Sequence, residues 1–429
     1  MMAATSEEES GAGTGPGRKI ATSLTWATLL FLIPLAPVLG SVASIIASLL
    51  TLLMAPVAVI RNGWRRIGSQ PAMLVFVLVF AALGLSFAVT ARTPNDPVYV
   101  INFLSLPLAA VLYLALRQRP EQPDPRAVLA WLCLAACVVA ALVAVNDIFI
   151  RDIGRVRGFN MGPHVVARSA LVFAFVALAL VMSSASRWRF VAYAGVPLAL
   201  LVIYLSGTRG ALVAFVPMMM VFAGFLFARR EDRPQVWIMA GLSIVASVAL
   251  LTLSDRFGVL FQLAMDLLSE GTTEARTASV RFQRIATAWE LFQQSPLLGY
   301  GWANFTEVAH PILGDDIKGG ADDRWFQFHN DLANFAVAAG MVGVVSWLAL
   351  LAAPIVGALS TPRDSLFRAR LYVCVQLSVS YFVFGLTDFT FGYDLPTTLY
   401  VFLTAIALGA LRDPVPSPQE AAPALRRAA

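Results

Sequence analysis

Two arginines three residues apart, Arg281 and Arg284, lie in the helix-forming stretch TASVRFQRIATAWELFQQ. That spacing places both on one side of a helix. Planar guanidinium forks match the oxygens of a phosphate or diphosphate. A third arginine, Arg209, stands in SGTRG, a join with almost no loop between two apolar runs. The small residues around it allow a ligand close to the backbone. His329 stands in FHND, just before another apolar run. Imidazole has the ordinary pKa best suited to proton transfer near neutrality, so His329 fits a general base for a hydroxyl group. Asn330 follows it. The loop RVRGFNMGPHVVARSA adds Arg155, Arg157, Asn160 and His164, polar groups suited to sugar or phosphate on a Gly-Pro turn.

Plainer roles fit the same residues. Arg209 could cap a helix end and snorkel to the interface. Phe282, Ile285, Trp289 and Phe292 form an apolar stripe, so Arg281 and Arg284 could belong to an interfacial helix that meets lipid headgroups. Asp315, Asp316, Asp322 and Asp323 could hold a divalent ion with a diphosphate, but their spacing is not that of an EF-hand, and a solvated loop is the simpler reading. His164, His310 and His329 are the only histidines. They form no HExxH pattern or cluster, so no zinc site is expected. Cys133, Cys137 and Cys374 all fall in apolar runs and give no disulfide framework.

These residues are mounted in an all-α polytopic membrane protein. Hydrophobic residues make up 58% of the chain and charged ones 13%, with a mean hydropathy of +0.73. A soluble domain carries about a quarter charged residues. About twelve transmembrane spans are expected, centred on 22–39, 42–60, 72–91, 98–116, 127–149, 165–184, 190–206, 211–228, 236–253, 332–357, 369–387 and 395–411. The division is a polar, disordered N-terminus (1–19), spans 1 to 9 (20–253), a large outer loop with an amphipathic helix (254–331), spans 10 to 12 (332–411) and a disordered tail (412–429). Arg18 and Lys19 precede a long run, which reads as an uncleaved first helix.

The net charge of +5 sits mostly at span ends, where it sets orientation, so nucleic acid is not an expected partner. Every second loop is basic, which places those loops and both termini in the cytoplasm. Three outer loops also carry arginine, at 150–164, 207–210 and 254–331. Arginine there does not help topology, and an anionic ligand at the outer membrane surface explains it. The spans themselves are nearly free of ionisable residues, which argues against an ion-coupled transporter or flippase.

At these residues the chain resembles the O-antigen ligase and polymerase superfamily of bacterial inner-membrane proteins. The matching elements are SGTRG after an apolar span, R-x7-W-E-L-F-x3-P-L-L-G-Y-G beginning at Arg281, and FHND followed by AAGMVG, in that order. The resemblance implies a metal-independent glycosyltransferase that needs no cofactor and takes a glycan from undecaprenyl diphosphate. The acceptor would be lipid A–core for a ligase, a growing lipid-linked glycan for a polymerase, or a protein hydroxyl. It also implies action on the periplasmic face among membrane lipids. Arg209 and Arg281 match the arginines that engage the donor diphosphate, and His329 matches the histidine that activates the acceptor. Where the family often has Gly-x-x-x-Asn-Pro-Asn, this chain has Gly158-Phe-Asn-Met-Gly-Pro-His164.

Overall fold

The computed structural model describes residues 16–60, 67–117, 124–158, 161–182, 187–229, 275–314 and 327–413, with isolated positions between 231 and 241. Most of the expected ninth span, Asn160, the four aspartates from Asp315 to Asp323, both distal termini, and the side chains of Arg209 and Arg281 lie outside the described residues. The described part is built of helices joined by turns and loops. We label the helices α1 (Pro16–Leu32), α2 (Ala36–Leu39), α3 (Ser41–Ile60), α4 (Pro71–Val89), α5 (Ser105–Arg117), α6 (Pro125–Val145), α7 (Pro163–Ala177), α8 (Gly195–Ser206) and α9 (Arg209–Phe227). Then come α10 (Ala275–Gln294), α11 (Phe305–Leu313), α12 (Asp331–Leu359), α13 (Phe367–Thr387) and α14 (Asp394–Ala410). Among the described residues nine helical stretches are long and apolar enough to cross a membrane, and the apolar parts of α1 and α14 are shorter.

Local sequence sets the boundaries. Proline opens α4, α6 and α7, where its missing N–H costs no helical bond. Asp124 caps α6 by accepting from the Arg126 N–H at 3.0 Å. Gly207, at φ 64°, closes α8 in the left-handed conformation. The first expected span, 22–39, is divided into α1 and α2, because Pro34 and Pro37 remove donors there. The expected span at 98–116 starts as a 3₁₀ segment, Asp96–Phe103, before α5.

The largest departure from a plain bundle lies in α12. Its backbone leaves the helix at Ala339 and Gly340, the latter at φ 57°. The loop PLLGYG, following α10, fills the break. Tyr300 N–H donates to Val337 O at 2.9 Å, Gly301 N–H to Ala338 O at 2.8 Å, and Met341 N–H to Pro296 O at 2.7 Å. Irregular backbone at membrane depth must find its partners inside the protein, and this loop supplies them. The sequence pattern Gly340/Gly343 reads as small-residue helix packing; the structure shows instead that Gly340 sits against backbone. A Cβ on Gly340 would lie 2.5 Å from Leu297 C, and one on Gly299 (φ 68°) 2.5 Å from Val337 O. Gly299→Ala is therefore expected to destabilise the protein by about 2–4 kcal/mol. The check is the melting temperature of the purified protein, and an unchanged value would contradict this packing.

Trp302 pins the same loop to the bundle. Its ring meets Phe103 edge-on at 5.1 Å, Phe335 at 5.5 Å and Phe389 at 5.7 Å. Such pairs each add about 0.5–1.5 kcal/mol beyond burial. At the opposite end Arg370, fully buried near the start of α13, donates to Thr361 Oγ1 at 2.8 Å, Pro362 O at 2.6 Å and Asp364 at 3.1 Å. A buried guanidinium is tolerable only when partnered in this way.

Candidate functional site

The starts of α7, α9, α12 and α14 and the end of α13 meet at one end of the bundle. His329 lies there, in the turn before α12. Its φ is 55°, an uncommon conformation for a residue with a Cβ, costing about 1 kcal/mol or more. Its neighbours hold it in place. Phe328 is buried against Phe305, and its N–H donates to Asn334 Oδ1 at 3.0 Å. Asn330 caps α12, its Oδ1 accepting from Ala333 N–H at 3.0 Å, and its Nδ2 donates to Leu386 O at 3.1 Å. Asp331, fully buried, accepts from Thr390 N–H at 2.7 Å and Phe391 N–H at 3.3 Å. FHND thus consists of an anchor, a presented imidazole, a cap and a tie to the loop after α13. Asn330, expected to touch substrate, has both ends of its amide engaged within the protein.

His329 Nδ1 lies 2.7 Å from Asp388 Oδ1. The other carboxylate oxygen accepts from Arg168 Nη2 at 3.3 Å. Arg168 is 7% exposed, reaches Phe389 O and Thr387 Oγ1 at 3.5 Å, and lies over the Phe384 ring at 5.2 Å. Burial alone would raise the Asp388 carboxyl, but the hydrogen bond to His329 and the charge of Arg168 outweigh it and hold the group well below the usual carboxylate range. An ionised carboxylate only accepts, so Nδ1 carries a proton, which in the neutral imidazole leaves the lone pair on Nε2. The imidazole side chain is 45% exposed and its Nε2 has no protein partner among the described residues. The imidazole is held from behind by Asp388, with its Nε2 edge open.

The other expected residues gather unequally. A Cβ on Gly210 would lie 3.1 Å from Thr387 Oγ1 and 3.4 Å from Arg168 Nη2, so the α9 start, Arg209–Gly210, abuts the His329–Asp388–Arg168 group. Arg284 Nη1 donates to Gln327 O at 3.3 Å, two residues before His329. Arg284 shares the packed face of α10 with Thr287, Ala288 and Leu291, while Phe282, Ile285 and Trp289 face outward, 43–69% exposed. Arg281 stands three positions before Arg284 in α10. His164 and Arg168 sit four apart on α7 and line one small crevice with Tyr381, Phe389 and Thr390.

Arg157 makes no side-chain contact with this group among the described residues. Its N–H, with that of Gly158, donates to buried Asp147, which shapes the 151–158 loop. The described residues hold no group of three or more metal-ligating side chains.

Residues 194–348 match the family model described as O-Antigen ligase. This segment is similar to the O-antigen ligase and polymerase superfamily. No curated protein matches the chain. The matched segment contains SGTRG, α10, the PLLGYG loop, FHND and the broken part of α12. Arg168 and Asp388 stand outside the matched segment, on α7 and just after α13. The bundle therefore brings groups from both sides of the matched segment in sequence to the His329 turn. Nothing in the sequence links Asp388 to His329, which is 59 positions away; Asp388 reads as an ordinary polar residue at a helix end.

Proposed function

We propose that the protein is an O-antigen ligase-like glycosyltransferase of the bacterial inner membrane. In this reading it moves a glycan from undecaprenyl diphosphate to a hydroxyl of lipid A–core on the periplasmic face. The observation that carries the reading is the His329–Asp388 pair, open at Nε2 and set beside the start of α9 and the packed face of α10. Nε2 takes the acceptor's proton as the acceptor oxygen attacks the anomeric carbon. The bond from that carbon to the diphosphate breaks, and the lipid diphosphate leaves with the bonding pair. Attack opposite the leaving group inverts the linkage. Arg209 and Arg281, with Arg284 supporting the turn, stabilise the charge that builds on the diphosphate, so guanidinium groups serve where other transferases use a metal ion. Donors aimed at developing charge are worth several kcal/mol. His164 and Arg157 extend the polar surface toward the sugar.

Orientation follows from the Lys/Arg bias: the His329 end faces the periplasm and both termini face the cytoplasm. The test is the glycolipid profile of a strain lacking the gene, with and without the gene restored. Loss of capping with lipid-linked polymer retained is the expected result. Capping by single repeats would assign the protein to polymerases, and an unchanged profile would contradict both readings.

A further inference from the structure

At the end of the bundle away from His329, an apolar crevice runs between α1, α5, α6 and α14. Trp26 and Leu29, Leu116, Pro125 and Leu129, and Ala410 line it. Arginines adjoin its lining in sequence: Arg117 follows Leu116, Arg126 follows Pro125, and Arg412 stands two residues beyond Ala410. Helices α5 and α14 are in close contact at this point, since a Cβ on Gly409 would lie 3.1 Å from Leu116 Cβ. The nearby carboxylates are already engaged. Asp124 pairs with Arg126 at 2.8 Å, Asp364 with Arg370 at 3.1 Å, and Asp413 accepts from Ser365 N–H at 2.9 Å and Ser365 Oγ at 2.6 Å. Arg117 makes no hydrogen bond or ion pair among the described residues. Burial, then the positive charges of Arg117 and Arg370, push the Arg412 guanidinium down to about 10, with Tyr113 and Asp364 opposing. Positive charge is in excess at the mouth of an apolar slot.

We propose that this crevice binds an anionic diacyl phospholipid, one acyl chain between α1, α6 and α14 and the phosphate at Arg117 and Arg412. An apolar slot with a cationic rim matches both halves of such a molecule, whereas a zwitterionic headgroup would bring its own cation to the arginines. The site is remote from His329 and independent of the transfer chemistry.

The test is native mass spectrometry of the purified full-length protein titrated with dioleoylphosphatidylglycerol or dioleoylphosphatidylcholine. The wild-type protein is expected to bind the anionic lipid about tenfold more tightly, and Arg117→Gln/Arg412→Gln to weaken that binding roughly thirtyfold. Leu129→Trp fills the slot, leaves both arginines, and is expected to weaken the lipid as well. Arg117→Gln alone, at a side chain with no bond to lose, gives about a fivefold loss and keeps the test available if the double variant does not fold. Equal binding of the two lipids, or wild-type binding by the arginine variants, would overturn the site. Wild-type binding by Leu129→Trp would overturn the placement of the chain. Displacement of the lipid by equimolar inorganic phosphate would reduce the site to a simple anion site and also overturn the proposal.

Discussion

His329→Ala is expected to lower glycan transfer by about 10²–10⁴-fold while the protein stays folded in the membrane. The loss is of the base itself. No other imidazole replaces it, since His164 lines the crevice beside Arg168 and His310 lies on α11. Alanine also relieves the left-handed strain poorly, because it keeps a Cβ at φ 55°. His329→Asn tolerates that conformation better and gives a cleaner separation of chemistry from folding. The measurement is transfer by purified protein with a lipid-linked donor, normalised to folded enzyme. Wild-type rates in either variant would remove His329 from the reaction.

Asp388→Asn is expected to cost up to about 10⁴-fold, the scale known where an aspartate fixes the tautomer of a catalytic histidine. Asparagine is nearly isosteric but can turn an N–H₂ toward Nδ1. Nδ1 would then accept, the proton would move to Nε2, and the reactive nitrogen would lose its lone pair. The change also leaves Arg168 buried without its carboxylate, although Phe389 O and Thr387 Oγ1 remain within 3.5 Å. A lower melting temperature is therefore expected as well, and rates must be compared per folded molecule. Asp388 is a positioning residue, so the loss should appear in kcat with KM little changed. A KM defect with kcat intact would show that Asp388 shapes binding and leaves the base alone.

Hydropathy and the Lys/Arg bias made the helices legible, because length and apolar composition alone decide which stretches can cross a bilayer. The turn carrying His329 was legible too, since FHND precedes a long apolar run. Asn330 shows the limit of that reading. A polar residue before a helix is a cap as readily as a ligand, and the bonds to Ala333 and Leu386 that make it a cap are not written in the local sequence. Glycines 299, 301 and 340 suggested turns and close packing, but the insertion of one segment into a break in another depends on backbone hydrogen bonds between positions about 40 apart. Arg168 and Asp388 carried no local signal at all. Their significance arises only when α7 and α13 bring them to the same point as His329, and no spacing along the chain encodes that.

The most direct measurement is a structure of the protein with a lipid-linked diphosphate donor bound. The account predicts the diphosphate within hydrogen-bonding reach of Arg209 and Arg281, and the anomeric carbon on the side toward which His329 Nε2 opens. A diphosphate seated elsewhere, with His329 out of reach of any acceptor path to that carbon, would contradict it.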